Sequence, residues 1–288
     1  HGTSVACQHL QPQAQPCSIS TDNMATSRRR SIGSLKPQRQ PEKDNPMIYL
    51  KNIIYYIVLA LTLPIMFLCA VLAAPFPKGV NRVGKTWTAL LLWGLEHVVG
   101  LRYEVRGREN IPAAPAIICS KHQSGWETFA LQQIFPLQTY VLKKELFRIP
   151  FFGWALKLGG AIGIDRKAGA DAMRMLSEQG LKRKQQGLWI VIFPEGTRVP
   201  AGERGRYKLG GARMAKLFEM DIVPVALNSG EFWAKNTIWK KPGVIQVVIG
   251  EPISYQAAES EADLMQLCED WIEARQAEIS NVKPKQAA

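Results

Sequence analysis

The sequence KHQSGWETF, residues 121–129, follows the apolar run Ala116–Cys119 and leads into a helical pattern that begins at Thr128. A histidine and a carboxylate, His122 and Glu127, therefore stand five positions apart where a strand gives way to a helix. Residues at this offset lie on different faces of a helix and on opposite faces of a strand. The two side chains can meet only if the backbone turns between them.

Gly125 lies within this stretch, and glycine is the residue that most readily permits such a turn. A carboxylate held against an imidazole fixes the tautomer of the ring and raises its basicity, as a general base requires. Taken alone, the pair also fits a capped helix start with an incidental histidine. Ser124 is interpreted as a turn or helix-capping residue, and Cys119 as a core residue of the strand.

Strand and helix patterns alternate from residue 103 onward, which predicts an α/β fold with a largely parallel sheet flanked by helices. The predicted strands are Tyr103–Gly107, Pro115–Ser120, Gln138–Leu142, Ala161–Ile164, Leu188–Phe193, Ile222–Leu227 and Val244–Ile249. The predicted helices are Thr128–Phe135, Pro150–Leu158, Ala170–Gln185, Gly211–Glu219 and Glu261–Ile279.

Polar side chains follow several of these strands. Ligands of such sheets bind outside the carboxyl ends of the strands, so these residues are candidates for one shared site. They are His122 and Glu127, Lys143 and Lys144, Arg166, and Glu195, Thr197 and Arg198.

The segment before this region is strongly apolar. No residue between Lys51 and Lys78 is charged, and Ile53–Phe76 is long enough to cross a bilayer. Pro64 is expected to kink this helix, and a bent helix within one leaflet is one arrangement that fits. Thr86–Val99 is interpreted as an interfacial amphipathic helix. Residues 47–100 are therefore predicted to be membrane-anchoring helices, and 101–288 the α/β domain.

Residues 1–46 are rich in Gln, Ser, Pro and Arg and have almost no apolar periodicity. This composition is typical of disordered chain. We interpret Met47 as the natural start and 1–46 as a non-native upstream extension. A peptide spanning Pro46 and Met47 in the native protein would contradict that interpretation.

The net charge of +12 indicates an anionic partner: a nucleic acid, a membrane surface or a phosphorylated substrate. The five cysteines are irregularly spaced and form no CxxC, which favours a reducing compartment without a disulfide framework. The four histidines are scattered, so we expect no metal site built from several of them.

Gly79–Thr86 fits the phosphate-loop pattern GxxxxGK[ST]. Such a loop must follow a core strand and open a helix, whereas this one follows an apolar run that contains Pro75 and Pro77. The pattern is therefore read as a basic linker near lipid phosphates. A nucleotide-dependent membrane protein is retained as an alternative of a different class.

Four blocks occur in an order that resembles the glycerolipid acyltransferase family, and within it the 1-acylglycerol-3-phosphate acyltransferases. They are His122–Glu127; Lys144-Glu145-Leu146 through Pro150, Gly153 and Gly160 to Asp165-Arg166; Phe193-Pro194-Glu195-Gly196-Thr197-Arg198; and Val223-Pro224-Val225-Ala226. The resemblance covers about residues 47 to 260. The first block departs from the family pattern by ending in Glu127 rather than Asp, and Val199 stands where Ser is frequent.

The resemblance implies transfer of a fatty acyl group from a thioester, of coenzyme A or of acyl carrier protein, to the 2-hydroxyl of lysophosphatidic acid, giving phosphatidic acid. His122 would be the base and Glu127 its orienting partner. Arg166 and Arg198 would bind phosphate, with Lys143, Lys144 and Lys208 as secondary candidates. Glu195, Gly196 and Thr197 would hold the glycerol backbone. No metal or other cofactor and no nucleic acid is implied.

The same resemblance implies a membrane location with the catalytic domain facing the cytoplasm, at the inner membrane in a bacterium. Acylation of another lyso-lipid is the alternative within the enzymes, because such enzymes share the first and third blocks. A catalytically inactive basic scaffold at a lipid surface is a third interpretation.

Overall fold

The computed structural model describes residues 46–165 and 169–282. The predicted disorder of 1–46 falls, except for Pro46, outside the described residues. The strands are β1 (Leu101–Arg106), β2 (Ile117–Ser120), β3 (Gln138–Lys143), β4 (Ile162–Ile164), β5 (Trp189–Ile192), β6 (Ile222–Leu227) and β7 (Gly243–Ile249). They form one seven-stranded sheet in the order β1-β7-β6-β2-β5-β3-β4.

The sheet is parallel except where β7 runs antiparallel to β6. Strand β2 lies between β5 and β6, with Cys119 paired to Ile192 on one side and to Pro224 on the other. The carboxyl ends of these three central strands therefore meet at one edge. The prediction of a largely parallel sheet flanked by helices is confirmed.

The helices are α1 (Pro46–Ala73), α2 (Gly79–Gly94), α3 (Glu127–Ile134), α4 (Phe152–Leu158), α5 (Gly169–Gln185), α6 (Gly210–Phe218) and α7 (Glu261–Ile279). A π-helical turn, Leu95–Val99, extends α2. Short 3-10 turns occur at Arg108–Asn110, Lys144–Arg148 and Ser229–Glu231.

Both faces of the sheet are covered, and successive side chains of β2 point to opposite faces. Ile118 packs in the cluster that contains Trp126 and Leu131. Ile117 and Cys119 pack in the opposite cluster, with residues of α6 and α7. All four residues of β2 are buried, so this strand is a rigid support for the turn that follows it. Cys119 is a core residue, as predicted.

Helix α1 is 28 residues long and apolar enough to cross a membrane. It continues through Pro64, and only 11% of its most apolar window is buried. Leu61 and Leu72 are 66% and 67% exposed. Its first turns are tied to the sheet domain by Asn52, whose side-chain amide hydrogen-bonds both the N–H (2.9 Å) and the carbonyl (3.0 Å) of Lys240.

The structure corrects the interpretation of Gly79–Thr86. These residues are the first turns of α2 rather than a loop or linker, and Lys85 donates to the carbonyl of Phe135 at 3.2 Å. In the described part of the chain they follow α1 rather than a strand, so the nucleotide-binding alternative is wrong. The apolar positions Val80, Val83 and Trp87 at helical spacing carried the signal for this earlier start.

The face of α2 that contains Trp87, Thr88 and Leu91 is buried. It packs against α1 and α3, while Leu90 and Trp93 stay exposed. The predicted interfacial helix, Thr86–Val99, thus packs as an integral part of the protein, with one face buried and Leu90 and Trp93 exposed.

Candidate active site

The turn after β2 brings His122 and Glu127 together. His122 Nδ1 lies 3.2 Å from Glu127 Oε2. The glutamate side chain is fully buried, and the imidazole is 15% exposed. With the proton of a neutral ring on Nδ1 facing the carboxylate, Nε2 is the nitrogen left to accept a proton from a substrate.

A side-chain hydrogen bond stabilises this turn, and Gly125 does not supply the unusual backbone conformation expected from the sequence. Ser124 Oγ accepts the N–H of Trp126 at 2.8 Å, the turn role predicted for it. Gly125 is not among the glycines with positive φ. A Cβ there would stand 3.4 Å from the Trp233 ring and 3.6 Å from the Arg198 guanidinium. Gly125 is therefore suited to close approach of these two side chains.

The longer side chain of Glu127 reaches back over the turn. Its carboxylate accepts the N–H of Gln123 at 3.2 Å and that of Ser124 at 2.8 Å. The hydroxyl of Ser229, which follows β6, also donates to it. Glu127 is the first residue of α3, where the helix dipole favours an anion. These contacts absorb the extra methylene and leave the carboxylate one orientation.

His122 opens into a cleft of about 520 Å³. One part of its wall is apolar and includes Trp87, Phe129, Leu146, Ile149, Phe152 and Leu156. Another part carries Lys143, Arg198 and Lys235. The ring of Phe193 stacks on the imidazole and also lines the cleft. One concavity thus combines a candidate base, three cations and a long apolar wall.

The predicted binding residues fall into different places. Lys143, Gly196, Thr197 and Arg198 line the cleft. Among the described residues, Lys144, Lys208 and Glu195 do not belong to its lining. Lys144 forms an ion pair with Asp165, and Lys208 is exposed. Arg166 lies outside the described residues.

Glu195 turns inward, away from the cleft. Its Oε2 accepts the backbone N–H of His122 at 2.8 Å, and its Oε1 lies 2.9 Å from the buried Nζ of Lys121. Burial raises the pKa of this carboxyl, and the Lys121 ammonium opposes that rise. The position of Glu195 supports the turn that carries His122 rather than a direct contact with glycerol.

One backbone hydrogen bond within the Phe193–Arg198 block and one just after it fix this loop beside the first block. Gly196 has φ +67° and donates to the Phe193 carbonyl at 2.9 Å. Val199 donates to the carbonyl of His122 at 2.7 Å. The N–H groups of Gly196 and Val199 are therefore occupied. Thr197 and Arg198, which lie between them, carry the other two N–H groups of this part of the loop.

Three polar residues near the site were missed in the sequence: Ser229, Lys235 and Asn236. They belong to the connection between β6 and β7. A signal existed for the first one, because Asn228 and Ser229 directly follow a predicted strand at the same sheet edge as the other polar clusters. Lys235 and Asn236 lie farther along this connection, and no local pattern marked them.

Comparison with known proteins gives a consistent result. The family model described as "Acyltransferase" matches residues 102–228. A 1-acyl-sn-glycerol-3-phosphate acyltransferase from Pseudomonas aeruginosa is 43% identical over 214 residues, which are 73% of this chain and 83% of that protein. The mouse protein 1-acyl-sn-glycerol-3-phosphate acyltransferase alpha is 32% identical over 196 residues, 66% of this chain and 68% of that protein.

The fold also matches a solved structure, that of the 1-acyl-sn-glycerophosphate (LPA) acyltransferase PlsC from Thermotoga maritima. The TM-score is 0.70, with 20% sequence identity, and the match covers 82% of this chain and 98% of that chain. At this identity the likeness shows the fold.

Proposed function

Because the chain belongs to the acyltransferase family, we propose that it transfers a fatty acyl group from a thioester to the 2-hydroxyl of lysophosphatidic acid. The product is phosphatidic acid. The names of the bacterial and mouse relatives support this acceptor. The observation that carries the proposal is that His122, backed by Glu127, shares one cleft with cationic side chains and a long apolar wall.

The chemistry asked of His122 is removal of a proton from an alcohol. Near neutral pH a hydroxyl is a poor nucleophile, and a base that takes its proton during attack accelerates the reaction by about 10²–10⁴-fold. Nε2 of His122 accepts the proton as the hydroxyl oxygen attacks the thioester carbonyl. The new C–O bond forms, the C–S bond breaks, and the proton passes from Nε2 to the departing sulfur.

Glu127 stabilises the charge that forms on the imidazole. Its carboxylate faces Nδ1 at 3.2 Å and is fixed by two backbone N–H groups and the Ser229 hydroxyl. A carboxylate held in this way orients the ring and favours the imidazolium without taking its proton.

The acceptor phosphate is bound by the cations at the cleft. Arg198 is the first candidate, since a guanidinium binds phosphate through two parallel hydrogen bonds. Lys143 and Lys235 line the same cleft and add positive charge. Arg166 remains a proposed phosphate ligand from the sequence resemblance. Lys144 and Lys208, which lie off the cleft lining, are assigned no direct contact.

The carbonyl oxygen of the thioester gains negative charge during attack and requires hydrogen-bond donors. The N–H groups of Thr197 and Arg198 are our candidates, because those of Gly196 and Val199 already donate to protein carbonyls. Gly196 and Thr197 line the cleft and are suited to hold the glycerol backbone.

The fatty chain lies along the apolar wall of the cleft toward α2. A smaller cavity of about 70 Å³ shares Trp87, Tyr140, Phe152 and Leu156 with the cleft and reaches Met66 and Ala70 of α1. Helix α1 anchors the enzyme in the membrane that supplies lysophosphatidic acid, with residues 47–100 as the anchoring region and 101–288 facing the cytoplasm. The reaction needs no metal or organic cofactor; the thioester of coenzyme A or of acyl carrier protein is a co-substrate.

The test is a purified full-length enzyme in mixed micelles, given each thioester donor in turn with lysophosphatidic acid or another lyso-lipid. Formation of phosphatidic acid is followed by mass spectrometry. His122→Ala is expected to lose at least about 10²-fold in kcat while it stays membrane-associated. His97→Ala is the matched control, because His97 is exposed and its ring hydrogen-bonds within its own helical segment, at Trp93.

Two outcomes would contradict the proposal. Turnover by His122→Ala at the wild-type rate would exclude the base assigned here. A wild-type enzyme that acylates another lyso-lipid but leaves lysophosphatidic acid unchanged would establish the alternative acceptor.

A further inference from the structure

Lys121, the residue before the candidate base, is fully buried between two carboxylates. Its Nζ lies 2.9 Å from Glu195 Oε1 and 2.6 Å from Glu273 Oε1. Glu273 belongs to α7 and also accepts the hydroxyl of Tyr207 at 2.8 Å. The ammonium stands 5.8 Å from the centre of the Tyr207 ring. The same ammonium donates to the carbonyl of Glu203 at 3.4 Å. Lys121, Glu195, Glu273 and Tyr207 form a network, here called the lysine network, beneath the catalytic turn.

The lysine network reaches the catalytic peptide through Glu195. One oxygen of this carboxylate faces Lys121, and the other accepts the N–H of His122 at 2.8 Å. The carbonyl of His122 is held by the N–H of Val199 at 2.7 Å. Both ends of the residue that carries the base are therefore fixed from the Phe193–Arg198 side of the site.

A contribution to the stability of the fold does not by itself explain why these charges are buried here. Taking an ammonium and its carboxylates out of water carries a large desolvation penalty, and apolar residues of similar volume often stabilise a fold as well or better. Here the charges fix the orientation of the peptide between Lys121 and His122, because Glu195 accepts the N–H of His122. A misplacement of about 1 Å at such a position costs on the order of 10²-fold in rate.

We propose that Lys121, Glu195 and Glu273 act as positioning residues for His122, with the ammonium of Lys121 holding the carboxylate that fixes the His122 peptide. The inference rests on the proposed function of His122 as the base. It also gives Glu195 a task other than binding the glycerol backbone. Helix α7 thereby supplies part of the support for the active site, although its residues do not line the cleft.

The test compares Lys121→Met, Glu195→Gln and the double variant in the full-length enzyme, with kcat, KM, the pH–rate profile and the melting temperature measured for each. Lys121→Met is expected to lower kcat by about 10–100-fold with KM for both substrates within about twofold. The acid limb of its pH–rate profile should move to higher pH, because the buried Glu195 carboxyl loses the cation that keeps it ionised. Lys216→Met is the control: this lysine donates to the Ala258 carbonyl and does not line the cleft.

The double variant separates positioning from folding. The side chain that Glu195→Gln introduces is neutral, and its amide oxygen accepts the His122 N–H without a charged partner. We expect the double variant to regain about tenfold in kcat over Lys121→Met and to lose the shift of the acid limb. If Lys121→Met does not fold, the double variant is compared with the wild type, and the expected result is a kcat lowered about 3–10-fold at an unchanged KM.

A folded Lys121→Met with wild-type kcat and an unshifted acid limb would overturn the inference. If Lys121→Met does not fold, wild-type kcat in the double variant would overturn it. Equal kcat in a folded Lys121→Met and the double variant would also overturn it. These results are distinct from failure of the proposed function, which would appear as a wild-type enzyme without turnover of lysophosphatidic acid.

Discussion

The imidazole of His122 lies flat against the ring of Phe193, with the two ring centroids 3.9 Å apart and the planes inclined by 17°. Phe193 directly follows β5, while His122 follows β2, its neighbour in the sheet. The phenyl ring covers one face of the imidazole, and Glu127 holds one edge. The ring therefore has little freedom to rotate, and its second nitrogen stays directed at the cleft.

Replacing Phe193 by Leu should lower kcat by about tenfold and leave KM within about twofold. Leucine keeps the apolar volume but removes the flat surface that limits rotation of the imidazole. Steady-state kinetics with lysophosphatidic acid checks this expectation. Phe193→Tyr is the matched control, since it keeps the ring; loss of kcat in both variants alike would contradict the stacking argument.

Glu127→Gln should lose at least about 10²-fold in kcat, and Glu127→Asp should retain more activity than Glu127→Gln. The amide has one acceptor oxygen where the carboxylate has two, so its NH₂ group must face one of the N–H donors or Nδ1. Aspartate keeps both oxygens but is shorter by one methylene. Kinetics of the two variants at several pH values compares them, and equal rates would contradict the assigned role.

Arg198→Ala and Lys235→Ala should each raise the KM for lysophosphatidic acid by about tenfold with little change in kcat, as expected for uniform binding of a phosphate. The effect should weaken at high salt, because ions screen exposed charges. Lys241→Ala is the control: this lysine is exposed on the same connection and is absent from the cleft lining. A lowered kcat at unchanged KM would place either residue in the chemical step instead.

Burial of Lys240 should make the free energy of unfolding depend on pH. It is fully buried, with its Nζ 3.7 Å from the centre of the Tyr56 ring and 4.2 Å from that of Trp233. Burial lowers the pKa of this ammonium from 10.5 to about 7, while the ring faces favour the cation and reduce that shift. Between pH 7 and 10.5 the unfolded chain therefore binds more protons than the folded one, and the free energy of unfolding rises with pH.

The slope stays below the limit of one proton, about 1.4 kcal/mol per pH unit. Lys240→Met should remove this slope and raise the melting temperature near pH 7, because no buried ammonium remains at this position. Thermal unfolding in detergent micelles from neutral to alkaline pH measures both effects. Lys241→Met, the exposed neighbour, should leave the slope unchanged; a slope retained in Lys240→Met would assign it to another group.

The sheet domain was largely predictable because its strands and helices carry their own period. The bounds of Ile222–Leu227 and Glu261–Ile279 were predicted as the structure has them. The reversed direction of β7 was not predictable, since a strand pattern carries no sign of its direction. The start of α2 was missed because the glycines of Gly79–Thr86 resembled a loop.

For the site, adjacency at strand ends predicted that His122, Glu127 and Arg198 would share one edge. It did not predict that Glu195 turns inward, since the sequence analysis assigned no role to its partner Lys121. Glu273, the other carboxylate that contacts Lys121, lies 152 positions after Lys121 in the chain. Local patterns carry no information about a contact of that separation.

That separation has a consequence for the order of events during synthesis. The hydroxyl that steadies Glu127 comes from Ser229, 102 positions later, and one of the two carboxylates that meet Lys121, that of Glu273, belongs to α7. A growing chain carries its base and orienting acid long before it contains these supports. The lysine network can therefore form only after α7 has been synthesised, so that acyl transfer during cell-free synthesis should reach its full rate only once α7 has left the ribosome.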